Sequence, residues 1–324
     1  MHLVYKIYII LILFFLLLGI FRFVYSDTPP FPIDIVYTWK GDETSDDIRL
    51  SNNNELKYSL RSIDLYAPWV NKIYILMNHP KKPPSWIKDY SKIVIVDHTE
   101  TFPDKRYLPN TNSNAIETTI VNIKGLSEHY IYFNDDIFLG KKIKYTEFFT
   151  QDGKAFVDKY AMETNQILKD PNYNVLGLDY PVTGHRMHKH VPITQIKSMV
   201  KEFNEKYSDY IHWIRMTKTR SMRGFDICKK NGLNTPCQQI HYPIAKYMHS
   251  KEMAIYKDND DTNKVRYVIN SSKTLSEDLK EVITNKYQIF CINDTEVDPI
   301  KRIDAQKQML NFFNTYYPNK ASFE

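Results

Sequence analysis

Residues 130–136 read Tyr130-Ile-Tyr-Phe-Asn-Asp-Asp136. Bulky β-formers run straight into one amide and two carboxylates. A strand of that kind is expected to be buried, and its polar end then stands at the carboxyl edge of a sheet, where open α/β sheets take their ligands. Working outward, Ile33–Trp39, Ile73–Met77 and Ile93–Val96 are further short apolar runs of the length and β-branched content of buried parallel strands. Asn52–Tyr66 carries Leu56, Leu60, Ile63 and Leu65 at near-helical spacing and stops before Pro68; Asn112–Ile123 is a second helical stretch. Pro80–Pro84 can only be a loop. Strands alternating with helices predict an α/β fold, a mostly parallel sheet with helices on both faces.

After Gly140 the pattern loosens. Phe148–Lys189 reads as irregular. Pro192 is expected to open an amphipathic helix through Ile193, Ile196, Val200, Phe203 and Tyr207. A further helix is expected over Gln239–His249, so that about 190–250 forms a helical insertion. Asn259–Asn263 reads as a loop and Ile289–Ile292 as a last strand. Pro299–Tyr317 is a closing helix, with Ile300, Ile303, Met309 and Phe312 marking its buried side.

The first residues are of another kind. From Leu3 to Tyr25 the chain is apolar apart from Lys6, Gly19 and Arg22, and about 20 such residues suffice to span a bilayer. One N-terminal transmembrane helix is therefore expected within residues 1–26, with 27–32 as a proline-containing spacer and 33–324 as the catalytic body. A cleaved signal peptide ending near Val24 and Ser26 is the rival reading. Lys6 on one side and Arg22 on the other specify topology weakly. A single-pass membrane protein follows, its body lumenal or extracytoplasmic, with the cytoplasmic face still open.

Composition narrows the function. The 324 residues include 24 Tyr and 17 Phe, ample for a core, so a disordered chain is excluded. Glycine is scarce, at 9 residues, and neither GxGxxG nor GxxxxGKS/T occurs, which removes the Gly-rich phosphate loops. A net charge of +5 suits an anionic substrate without the dense basic patches of nucleic-acid binding. Cys228, Cys237 and Cys291 do not make a disulfide framework; Cys228 and Cys237 are close enough to close a short loop, and that bond stays open.

Several groups carry chemistry. Asn134, Asp135 and Asp136 suit Mg²⁺ or Mn²⁺, which prefer carboxylate oxygens and leave positions for phosphate; an Asx turn at a strand end is the plainer reading. Phe290-Cys-Ile-Asn-Asp294 repeats the device with Asn293 and Asp294. His185, His188 and His190 lie among Arg186 and Lys189. Neighbouring cations oppose a zinc site there, so a phosphate-facing cluster is favoured over zinc. Arg220, Arg223 and Asp226 form a last polar group, which a surface ion-pair set would explain equally well.

In this order the blocks resemble the Stealth family of sugar-phosphate transferases, which includes bacterial capsule polymerases and the animal N-acetylglucosamine-1-phosphotransferase. The resemblance rests on Ile33-Asp-Ile-Val-Tyr-Thr-Trp39, then Glu55-Leu-Lys-Tyr-Ser-Leu-Arg-Ser-Ile63, Ala67-Pro-Trp69, Val96-Asp-His98, Asn114-Ala-Ile-Glu117, Gly125-Leu-Ser127 and Asn134-Asp-Asp136. His190-Val-Pro192, Cys291-Ile-Asn-Asp294 and the terminal Pro318–Glu324 complete it. Two departures stand out: Trp39 is followed by Lys40-Gly41-Asp42, and Asn114 replaces a usual proline.

The resemblance implies an enzyme that moves a sugar 1-phosphate from a UDP-sugar, expected to be a UDP-N-acetylhexosamine, to a glycan or glycoprotein hydroxyl, releasing UMP. It implies catalytic roles for Glu117, His190 and either Arg220 or Arg223. Donor contacts fall on Asp34, Tyr37, Trp39, Arg61 and Asn114, and Mg²⁺ or Mn²⁺ on Asp135, Asp136, Asn293 and Asp294. His190 is the expected general base, since an imidazole titrates near about 6.5; Glu117 is the other choice. An ordinary glycosyltransferase releasing UDP and an inactive glycan-binding protein are the alternatives. Self-association is left open. If the body is lumenal, the sequon Asn270-Ser-Ser272 is expected to carry a glycan and Asn293-Asp-Thr295 to stay bare.

Overall fold

The computed structural model describes residues 28–41, 52–158, 190–219, 240–257 and 264–324 without Ser272, together with the helical residues Ile9, Leu11, Ile12 and Phe14. Most of the expected anchor, the loop 259–263, His185, Arg186, His188, Lys189, Arg220, Arg223, Asp226, Cys228 and Cys237 lie outside these residues. Among the described residues no helix is long and apolar enough to cross a membrane.

The central sheet is built from the runs expected of it. Strands β1 (Ile33–Trp39), β2 (Ile73–Met77), β3 (Ile93–Asp97) and β4 (His129–Phe133) are parallel neighbours in the order β3-β2-β1-β4. Every side chain of β2 is buried, as continuous apolar strands covered on both faces require. Helix α1 (Glu55–Tyr66) returns the chain between β1 and β2. Its Ser59 donates to the Ile137 carbonyl at 2.5 Å and so accepts from the Tyr37 hydroxyl at 2.8 Å. The expected second helix is shorter than its pattern: α2 covers Ser113–Glu117, and a separate 3₁₀ turn covers Ile120–Asn122. Thr118 and Thr119 turn their hydroxyls back onto the Ala115 and Ile116 carbonyls, the competition that ends helices at such residues.

Among the strands that fall where none was expected are β5 (Ile137–Leu139), β6 (Ala155–Asp158) and, after Pro192, β7 (Ile193–Ile196). Strand β7 runs antiparallel beside β4 and closes the sheet as β3-β2-β1-β4-β7. The helix expected from Pro192 therefore begins only at Lys197, as α3 (Lys197–Lys206). β-Branched Ile193, Thr194 and Ile196 are better placed on a pleated edge than in a helix, and Gln195 faces Tyr130 in register. Helices α4 (Ser208–Met216) and α5 (His241–Ser250) follow.

Strands β8 (Ala254–Lys257), β9 (Val265–Ile269) and β10 (Ile289–Asn293), with helices α6 (Leu275–Asn285) and α7 (Pro299–Tyr316), complete the chain. β5, β10 and β9 form a second sheet, and β6 pairs with β8. Phe138, Phe290, Met309, Phe312 and Phe313 fill a smaller core between that second sheet and α7. Met309 and Phe312 of α7 face inward as expected, but Ile300 and Ile303 are 80% and 69% exposed; Ala305 and Phe313 are the other buried positions. The inward stripe starts one turn later than the apolar pattern suggests, because Asp298 caps the helix at its exposed first turn by accepting from the Ile300 and Lys301 amides.

Candidate active site

Chain directions assemble the site. All four parallel strands end on one side, and β4 delivers Asn134, Asp135 and Asp136 beyond its last residue. Because β7 is antiparallel to β4, with Ile193 opposite Tyr132, the segment entering β7 starts over the same carboxyl edge. His190 sits on that segment, and its Nδ1 lies 3.7 Å from Oδ2 of Asp136. The His190 ring packs against Tyr267 of β9, with 5.3 Å between centroids. From the second sheet, the antiparallel register of β10 on β5 places Cys291 opposite Ile137, and the Ile292 amide donates to the Asp136 carbonyl at 3.0 Å. The Cys291 thiol then donates to Asp136 Oδ2 at 3.2 Å, and the Asn293 amide reaches the same oxygen at 3.5 Å. The other oxygen, Oδ1, is buried without a hydrogen-bond partner among the described residues.

Acid density here is high. Burial first, and then the charges of Glu55 and Asp136, hold the Asp135 carboxyl well above the usual carboxylate range. Glu55 opens α1 above the end of β1; burial pushes its carboxyl up to about 7, against hydrogen bonds from Asn53. Carboxyls kept from ionising by burial and by one another gain from a cation that neutralises them. Asp135, Asp136 and the unpartnered Oδ1 thus fit a divalent cation.

Glu117 ends α2 and is buried. Its Oε2 lies 3.6 Å from Nδ1 of His241, the first residue of α5, also buried. Asn114 of α2 accepts from the Ile240 amide at 3.2 Å, which fixes the start of α5 against α2. Tyr132 connects the two acidic groups. Burial raises its phenol first, then the charge of Glu117, with Asp135 and Asp136 contributing in the same direction. Its hydroxyl donates to Asn134 at 2.8 Å and pairs with Thr38 at 2.9 Å. A cavity of about 80 Å³ adjoins this side, walled by Val191, Pro192, His241, Lys257, Lys264 and Gln288 among others.

Three of the expected residues stand differently. Asp34 lies at the amino end of β1, remote from the carboxyl edge, where it accepts from Asn71, the Lys72 amide and the Ser127 amide. There it ties the Asn71–Lys72 and Ser127 segments to β1. Arg61 turns from the site to the chain's last residue: its guanidinium pairs with both oxygens of Glu324 and donates to the Tyr317 carbonyl. Asp294 is held by Arg302, by Asn53 at 2.9 Å and by Asn270 at 2.7 Å. A carboxylate already neutralised by a largely buried guanidinium is a poor cation ligand. Asn270 is 2% exposed, with its carboxamide engaged at both ends, so the expected glycan has no place on it. Tyr37 and Trp39 are buried along β1, with Trp39 at its carboxyl end.

Glu55, His241, Cys291 and Tyr267 had not been singled out. Glu55 and Cys291 carried a signal, each as the first residue of a family-like block; His241 and Tyr267 are brought in by helix packing and strand pairing.

The class defined by this geometry is a mixed α/β protein with a parallel-dominated sheet, whose acids and imidazole gather past the strand ends. Conserved region 2 of Stealth proteins matches residues 49–157, and conserved region 4 matches residues 280–324. A capsular polysaccharide phosphotransferase of Haemophilus influenzae is 30% identical over 89% of this chain and 84% of its own length. Exopolysaccharide phosphotransferases of Streptomyces coelicolor and Mycobacterium leprae are 29% and 28% identical over 91% of this chain. The chain spans 52% and 57% of the length of those two relatives. A solved galactosyltransferase, LgtC with donor and acceptor sugar analogues, aligns over 88% of this chain and 95% of its own at a TM-score of 0.39 and 9% identity. The chain belongs to the Stealth family.

Proposed function

We propose that this chain transfers a sugar 1-phosphate from a UDP-sugar, of the UDP-N-acetylhexosamine kind, to a glycan hydroxyl, releasing UMP and leaving a phosphodiester. The observation that carries the reading is His190 beside Asp136 at the carboxyl edge of the sheet, 3.7 Å apart. The names of the relatives, all polysaccharide phosphotransferases, support the reaction class.

Asp135 and Asp136 would hold Mg²⁺ or Mn²⁺, which when bound offsets negative charge on the phosphates. His190, steadied between Tyr267 and Asp136, takes the proton of the acceptor hydroxyl as its oxygen attacks the sugar-proximal phosphorus. The bond between the two phosphates breaks, and UMP departs with the bridging oxygen. Glu117 lies deeper, paired with His241, which suits holding the shape and charge of the site better than meeting an acceptor. The arginine that the family resemblance implies, Arg220 or Arg223, would clamp the transferred phosphate. The apolar run Leu3–Tyr25 supports tethering to a membrane, with the body 33–324 on the lumenal or extracytoplasmic side.

The test follows the phosphorus. A UDP-sugar labelled at the sugar-proximal phosphorus is incubated with the full chain, Mg²⁺ and a polysaccharide acceptor. Label in the acceptor together with UMP supports the proposal. Label remaining in UDP while the sugar moves makes the protein a glycosyltransferase.

A further inference from the structure

Residues from three separate segments meet around one carboxylate oxygen. Asp136 follows β4, His190 precedes β7, and Cys291 lies within β10. One ligand atom from each lies within 4.8 Å of the others. We infer that Asp136, His190 and Cys291 form a binding site for a thiophilic divalent cation of the Zn²⁺ class, distinct in preference from the hard cation of the transfer reaction.

The distances favour this over a merely buried thiol. Zinc bonds of about 2.3 Å to sulfur and about 2.0 Å to nitrogen or oxygen, at tetrahedral angles, put S···O near about 3.5 Å and N···O near about 3.3 Å. The corresponding separations are 3.2 Å for Cys291 to Asp136 and 3.7 Å for His190 to Asp136. Each of these two is a few tenths of an ångström from its zinc value, and the His190 and Cys291 ligand atoms lie within 4.8 Å of one another. Thiolate and imidazole ligands select Zn²⁺ over Mg²⁺, which prefers oxygen and near-octahedral geometry. Tyr267 against the His190 ring limits its rotation. The Asn293 carboxamide, 3.5 Å from the same oxygen, can turn its oxygen inward, or water can complete the set. On the sequence alone, His190 stood among cations that disfavour zinc; the fold sets beside it a carboxylate and a thiol from 54 and 101 residues away along the chain.

On binding, the Cys291 S–H bond gives way to an S–metal bond, and its proton passes to solvent. No electron is transferred. Because Asp136 is shared, a cation seated here would exclude Mg²⁺ from that carboxylate. That consequence rests on the proposed reaction, whereas the site itself does not.

The probe is Co²⁺, which stands in for Zn²⁺ and reports a thiolate ligand by near-ultraviolet charge-transfer absorption. Titrating the full chain should give that band with one Co²⁺ per chain; Zn²⁺ should abolish it, and equimolar Mg²⁺ should leave it unchanged. Cys291→Ser should remove the band. His190→Gln, which keeps the thiol, should weaken Co²⁺ binding at least about tenfold. A Cys228→Ser/Cys237→Ser variant should keep the band. Absence of a thiolate band in the intact chain, its survival in Cys291→Ser, or its loss in the double variant would overturn the site. The readout is the metal's own spectrum, so failure of the phosphorus-label experiment leaves it standing, and the reverse holds.

Discussion

Nδ1 of His190 stands 3.7 Å from Oδ2 of Asp136, although 54 residues separate them in the chain. The antiparallel entry into β7 brings them together, and the pair puts an imidazole where a hydroxyl proton must leave. His190→Ala is expected to lower phosphodiester formation about 10²–10⁴-fold, the usual weight of a general base. Initial rates under excess Mg²⁺ and a zinc chelator check this; a loss under about threefold would assign the proton to another group.

Asp136→Asn keeps the shape of the side chain and removes a hard ligand. Turnover should fall at least about 10²-fold at every Mg²⁺ or Mn²⁺ concentration, the rate equivalent of the several kcal/mol a bound cation supplies. The thermal unfolding midpoint should change little, since Oδ1 makes no hydrogen bond to any described residue. Near-normal rates across the metal titration would dismiss Asp136 as a ligand.

Arg302 and Asp294 are a largely buried pair, with side chains 11% and 9% exposed. Removing the cation strands a carboxylate, which typically costs about 3–5 kcal/mol. Arg302→Ala should therefore shift the denaturant midpoint sharply, and by the same amount in EDTA as in Mg²⁺. A change within about 0.5 kcal/mol, the range of ordinary surface substitutions, would show that Asp294 does not depend on the pair.

Glu55 supplies a pH signature. Its carboxyl is raised from 4.5 to about 7 by burial, so between those values the folded state binds a proton that the unfolded state has released. Stability from this group is present below about pH 4.5 and is lost as pH rises through 7, by about 3 kcal/mol at most. His98, lowered to about 4 by burial, acts oppositely, adding stability as pH rises from 4 to 6.5; Lys246, lowered to about 6 by burial, does so above pH 6. The measurement is accordingly a difference: unfolding free energy of the unaltered chain minus that of Glu55→Gln, in EDTA, at pH 5 and pH 8. The difference should fall as pH rises; a flat or rising one would mean Glu55 is ionised throughout.

Asn270 accepts from the Thr295 and Glu296 amides at 2.8 and 3.1 Å while donating to Asp294. Protein made in a glycosylating host should carry no sugar on Asn270 once folded, and peptide mass spectrometry checks occupancy. Asn270→Ala should lower stability, by about 1–3 kcal/mol for each buried group left unpaired.

The four parallel strands of the central sheet, β1 to β4, and β10 of the second sheet were legible to within a residue at each end, since they are short β-branched or aromatic runs whose burial leaves a local signature. The acids at 134–136 were legible for the same reason: three polar groups directly after an apolar strand have little use in a core. Strands β5 to β9 were not legible, being only three to five residues long and existing by pairing with distant partners. The sequon at Asn270 and the apolar Ile300 and Ile303 misled, because a pattern records residue type and not which side the rest of the chain covers.

By itself the sequence determined an α/β sheet, the end of that sheet where chemistry belongs, and the family blocks along it. Only the tertiary structure decided that Asp294 answers to Arg302, that Arg61 holds Glu324, and that Cys291 and His190 converge on Asp136. Strand formation depends on side chains two to seven residues apart, whereas these contacts depend on register between elements. Cys291 and Asp136 are 155 residues apart, and their meeting follows from which residue of β10 pairs with which residue of β5, a choice made by packing across the whole core.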